Sequence, residues 1–68
     1  MLWPWRKYRK ISFQEMRPYV PGEDLTDISV ANSEVPKEGG MIARDSNNHK
    51  DQWYISQEFF DLNYEDLG

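Results

Sequence analysis

The chain has 68 residues, a formal charge of −4, 15% aromatic residues and no cysteine. That length gives one domain with a thin core, and the missing thiols exclude disulfides, thiolate catalysis and a cysteine-ligated zinc site. No window approaches the roughly 20 apolar residues of a membrane span, and the basic start lacks the apolar stretch of a signal peptide, so a cytoplasmic protein is expected.

Residues 1–10, MLWPWRKYRK, alternate aromatic and basic side chains around Pro4. Arg6, Lys7, Arg9, Lys10 and Arg17 against Glu15 give residues 1–17 a net charge of +4. Lys37, Arg44 and Lys50 against eleven acids give residues 18–68 a net charge of −8. A basic aromatic head on an acidic body points to interaction surfaces. The head reads either as an arm or as an edge strand completing the sheet. As an arm it docks on the acidic body, a protein, nucleic acid or a membrane surface. For nucleic acid, Arg6, Lys7, Arg9 and Lys10 neutralise phosphates while Trp3, Trp5 and Tyr8 stack on bases.

In the next stretch, Ser12 and Glu15 have capping-box spacing and Ile11 and Met16 the spacing of a hydrophobic staple. They predict a short helix over ISFQEMR, stopped by Pro18. A Pro21-Gly22 turn follows. A short β-patterned run covers Asp27 to Ala31, and residues 32–40 are loop by composition.

Two further β-patterned runs, Met41 to Arg44 and Gln52 to Ser56, flank the turn-rich DSNNHKD and predict a hairpin. Ser56 then caps a helix over QEFFDLN, with Ile55 and Phe60 as its staple. The expectation is an α+β fold: a small antiparallel sheet of about three strands with two short helices. Residues 1–10 form the arm or edge strand, residues 11–65 the domain, and residues 66–68 a frayed tail. The expected core is Ile28, Val30, Met41, Ile42, Trp53, Ile55, Phe59, Phe60 and Leu62, covered on one side by Phe13 and Met16. Alternation puts Trp53 and Ile55 on one sheet face and Tyr54 on the other.

The chemistry-bearing residues are sparse. DSNNHKD gathers Asp45, Asn47, Asn48, His49 and Asp51. As a calcium loop it fails, because Lys50 stands where a glycine is required and no Glu closes the loop. One His with two carboxylates is thin for zinc or manganese, so side chains bonding their own backbone in a turn explain the loop better. His49 is the sole histidine and no serine lies in a nucleophile elbow; a non-enzymatic protein without cofactor or metal is expected. The acidic pair Glu23-Asp24 reads as solvated. Arg44, at a strand end near Asp45 and Asp51, reads as a hairpin-end ion pair or as an arginine presented to a partner. Candidate partner-binding residues are Trp3, Trp5, Arg6, Lys7, Tyr8, Arg9, Lys10, Arg44, Asn48 and His49.

EMRPYVPGEDLTDISVA and GGMIARDSNNHKDQWYISQEFFDLNYE together resemble a family of short proteins encoded by tailed bacteriophages and prophages, whose motifs run RPY-x-PGED…ISV and G-x-MIAR…NH-x-DQW. The likeness spans roughly residues 14–65. Its second half is also similar to a broader phage domain built on a Gly-Asp-Tyr hairpin, in which Gly40 here replaces the Asp. The resemblance implies the cytoplasm of an infected or prophage-carrying bacterium and no particular activity. It makes a bacterial host protein the expected partner, bound and modulated or inhibited. Nucleic acid bound through residues 3–10 is the alternative.

Overall fold

The structure, a computed structural model, describes residues 4–9 and 12–68. It is a three-stranded antiparallel sheet followed by one helix: β1 (Gln14–Pro18), β2 (Met41–Asp45), β3 (Asn48–Ile55) and α1 (Gln57–Asn63). The strand order is β1-β2-β3, so β2 is central. The α+β class and strand number are as expected; the helix before the sheet is not.

QEMRP is a strand. Its side chains alternate, Gln14 and Met16 half-buried and Glu15 and Arg17 exposed, a period of two that a helix cannot satisfy. The Ser12–Glu15 capping signal is local and would support barely one turn before Pro18, too little to offset helix nucleation. Pairing with β2 offers more: Gln14 lies opposite Asp45, Glu15 opposite Arg44 and Met16 opposite Ala43. The ladder runs on to the Tyr19 N–H, which donates to the Gly40 carbonyl at 2.9 Å. Pro18 is tolerated because β1 is an edge strand.

The β2–β3 hairpin forms, with a tighter turn than expected. Asp45 Oδ1 accepts from the Asn47 N–H at 2.7 Å and the Asn48 N–H at 3.2 Å, and so closes a two-residue turn at Ser46-Asn47. β3 therefore begins at Asn48. Asp45 pairs with Asn48 but Arg44 with Gln52, so His49, Lys50 and Asp51 bulge out of β3.

The run Asp27–Ala31 contributes only a single parallel bridge, Ser29 to Trp53. The Ser29 N–H donates to the Gln52 carbonyl at 3.0 Å, and its carbonyl accepts from the Tyr54 N–H at 2.9 Å. Turns on both sides cut the run short. The Ile28 N–H donates to the Leu25 carbonyl and the Glu34 N–H to the Ala31 carbonyl, leaving too few extended residues for a strand.

α1 starts where Ser56 predicts. The Ser56 Oγ accepts from the Phe59 N–H at 3.2 Å, and Glu58 sits in the first turn near the positive helix end. None of its residues is buried.

The core is smaller than expected: Ile42, Ala43, Tyr54 and Ile55. The sheet pairing puts Ala43, Trp53 and Ile55 on one face with Met16, and Ile42 and Tyr54 on the other. Tyr54 does lie opposite Trp53, but Tyr54 is the buried one, with Trp53 half-buried. Ile28, Val30, Met41, Met16 and Phe60 are also half-buried. Phe13, Phe59 and Leu62, expected inside, are 70%, 53% and 84% exposed. Phe13 precedes β1 rather than sitting on a helix against the sheet. Phe59 and Leu62 lie on the face of α1 turned away from it.

Candidate interaction surfaces

Three surfaces carry the exposed chemistry. The first is the arm. Residues 4–9 have neither helix nor strand, and every one of them is exposed, Trp5 fully and Tyr8 at 87%. No hydrogen bond or ion pair ties residues 4–9 to the body among the described residues. The edge-strand reading is thereby corrected for residues 4–9: Pro4 lacks a ladder donor, and the segment follows no period of two that would bury one side. Trp5, Arg6, Lys7, Tyr8 and Arg9 form one continuous exposed stretch, while Trp3 and Lys10 lie outside the described residues.

The second surface is the Ile42 face of the sheet. The register sets Glu15 opposite Arg44 and Arg44 opposite Gln52. Arg44 Nε donates to Glu15 Oε1 at 2.8 Å. The bulge in β3 turns His49 onto the same carboxylate, with Nε2 3.2 Å from Glu15 Oε1. Arg44 therefore pairs with Glu15 rather than with Asp45 or Asp51, because its side chain points to the face opposite Asp45. Next to this cluster lies an open hollow of about 250 Å³ with Ile42 and Ala43 as floor and Glu15, Arg17, Arg44 and Gln52 as walls. Asn48 is not part of it: its Oδ1 accepts from the Lys50 N–H at 3.3 Å, which is bulge chemistry.

Arg17 closes the far side of the hollow. Its two Nη atoms grip the Glu23 carboxylate at 2.9 and 2.5 Å, and that carboxylate also accepts from the Val20 N–H at 2.7 Å. The Pro21-Gly22 turn, with Gly22 at φ 88°, brings Glu23 back to the strand. This explains the spacing of Arg17, Pro21, Gly22 and Glu23 and corrects the solvated reading for Glu23, whose side chain is only 16% exposed, while Asp24 is exposed as expected. Asp24 also has a local task, since its Oδ1 accepts from the Thr26 N–H and Oγ1 and thereby holds its carboxyl low. The Arg17 hydrogen bonds and the Val20 amide depress the Glu23 carboxyl from 4.5 to about 2. A depressed carboxyl adds stability above its unfolded value and loses it as pH falls through the folded one. The melting temperature should drop between pH 4.5 and pH 2, and Glu23→Gln should flatten that slope; parallel pH–melting curves for both proteins would refute the latch.

The third surface was missed from sequence, where its residues were placed in the core. Phe59 and Leu62 stand three apart on the outer side of α1, flanked by Glu58 and Asp61 and followed by exposed Leu67. Tyr64 meets both helix aromatics, stacked on Phe60 with ring centres 5.9 Å apart and tilted against Phe59 at 6.1 Å. The missed signal was charge: Gln57 to Gly68 hold four acids and no base.

Among the described residues, no three His, Asp or Glu side chains converge as metal ligands, and no helix is long and apolar enough to cross a membrane. Searches against protein-family models, curated proteins and solved structures found no match to this chain.

Proposed function

We propose that the chain is a small non-enzymatic binding module that docks on and modulates a larger protein. The carrying observation is its surface. Large apolar side chains lie open on it, Trp5 at 102%, Tyr8 at 87%, Phe59 at 53% and Leu62 at 84% exposed, and aromatic residues are the type that anchors interfaces. The Phe59–Leu62 strip with its carboxylate rim fits an apolar groove edged by basic residues. Taken with the phage-like motifs, the partner is a bacterial host protein in the cytoplasm, such as a defence or nucleic-acid-processing enzyme that the module inhibits.

The test is capture by the tagged chain from bacterial lysate, with and without nuclease, at low and high salt. One stoichiometric, nuclease-resistant protein, lost on Phe59→Ser with Leu62→Ser, is the expected result. Retention of nothing above background refutes the reading.

The free arm supports nucleic acid as the second reading, because Trp5 and Tyr8 are available for stacking beside Arg6, Lys7 and Arg9. On that reading single-stranded DNA binds with an affinity that falls steeply with salt, and Lys7→Glu with Arg9→Glu abolishes it. A fluorescence titration at two salt concentrations, showing either no binding or binding indifferent to salt, would eliminate it.

A further inference from the structure

The two edges of the sheet are treated differently. The outer edge of β3 is covered at Gln52 and Tyr54 by Ser29. On the outer side of β1 no strand lies among the described residues. The Tyr19 N–H points to β2 at Gly40, and the Phe13 carbonyl on the same side accepts from Ser46 Oγ at 2.9 Å. Alternation therefore sends the backbone groups of residues 13, 15, 17 and 19 towards β2 and those of Gln14, Met16 and Pro18 outwards.

We propose that this edge pairs with the β1 edge of a second copy, antiparallel, about a two-fold axis at Met16. The strand is complementary to itself in that register. Met16 faces Met16 of the other copy, and the two exchange both N–H···O bonds. The Gln14 N–H meets the Pro18 carbonyl, once on each side, and shares that acceptor with Arg17 Nη1 of the same chain as Pro18, which donates to it at 3.1 Å. Pro18 has no N–H to give, so the axis retains four main-chain hydrogen bonds of the six an ordinary strand would make.

Charge selects the same register. Glu15 falls directly opposite Arg17 of the other copy, twice, on the Ile42 face. Each cross-strand pair then joins ion pairs already present, Arg44 with Glu15 and Arg17 with Glu23. The signs along the row run Arg44, Glu15, then Arg17, Glu23 of the second copy, alternating throughout. A parallel arrangement in register would set Glu15 against Glu15 and Arg17 against Arg17, and opposed like charges weaken a sheet. The isologous pairing closes on itself as a dimer and leaves no further edge of β1 to recruit a third chain. It also leaves the Phe59–Leu62 strip exposed, so it is compatible with the binding role above and does not depend on it.

Because the chain has no cysteine, one introduced thiol reports the pairing without ambiguity. In the proposed register the two copies of position 16 form a hydrogen-bonded pair with Cα atoms about 5.5 Å apart, within disulfide reach. Purified Met16→Cys under mild oxidation should therefore cross-link roughly tenfold or more faster than Val35→Cys, whose position is more solvent-accessible but away from β1, because pairing raises the local thiol concentration. Unmodified chain in sedimentation equilibrium should approach twice 8.1 kDa as concentration rises, and shift back towards monomer in high salt. A monomer throughout, equal cross-linking of the two variants, or faster cross-linking through Gln14→Cys than through Met16→Cys would each overturn the proposal. These measurements use the purified chain alone, so they are decided separately from any capture of a host protein.

Discussion

Replacing Tyr54 with alanine should unfold the domain. The ring is buried, meets Tyr19 edge-on with centroids 5.7 Å apart, and lies against the Gly40 backbone. Its hydroxyl accepts from the Lys37 N–H at 3.1 Å and so fastens the loop before β2 to the sheet. Truncating a buried aromatic costs about 3–5 kcal/mol, and a core of this size contributes no more than roughly that in total. The expected observation is loss of the cooperative thermal transition and collapse of amide dispersion in the ¹H–¹⁵N spectrum. Tyr54→Phe separates the two roles: it keeps the ring, leaves the Lys37 amide without its acceptor, and should cost about 1 kcal/mol. Trp53→Ala should be milder than Tyr54→Ala, since Trp53 is only half-buried. A cooperative Tyr54→Ala melt at the parent temperature would show that the core is elsewhere.

Gly40→Ala should be the most damaging single-methyl change in the chain. Gly40 does not have a positive φ, so backbone conformation alone would favour alanine by about 0.4–1 kcal/mol through the unfolded state. The tertiary contact reverses the sign. A Cβ at Gly40 would fall 2.6 Å from Cζ of Tyr54 and nearer still to its Cε1 and hydroxyl, distances that real Cβ atoms do not adopt. The obstacle is an aromatic ring inside the core, held by Tyr19 and Lys37, and it cannot swing aside as a flexible tip would. Overpacking of this kind costs about 1–3 kcal/mol, and the urea midpoint should fall accordingly. At Gly22 the space is open, and the penalty of alanine there comes from its φ of 88° alone. A raised midpoint for Gly40→Ala would mean that the Tyr54 ring does not lie over Gly40.

Both sites bear on what could be read in advance. Period-two alternation and the Asn- and Asp-rich turn identify the hairpin, because both signals arise within a few residues and need no partner. The Ser56 cap marks the start of α1 for the same reason: the amide it satisfies is three residues away. The helix proposed for ISFQEMR rested on equally local signals and failed, because pairing along five residues of β2 outweighs one capped turn. The run through Ser29 shows the same competition in reverse: strand-forming residues were present, yet the turns on either side left them one bridge.

Composition and order alone determined the small α+β class, the β2–β3 hairpin, the capped final helix, the charge split between head and body, and the placing of Tyr54 and Trp53 on opposite faces. Tertiary structure decided that β1 is a strand, that Tyr54 rather than Trp53 is enclosed, that Arg44 and His49 converge on Glu15, and that Phe59 and Leu62 face outwards. Each of these depends on what stands across from a residue. Local energies of turns, caps and alternation reach three or four positions along the chain. Glu15 and Arg44, by contrast, are 29 positions apart, and Lys37 and Tyr54 are 17 apart. No local signal distinguishes the part of the sheet that a loop covers, at Tyr54, from the part left open, beside Arg44 and Gln52.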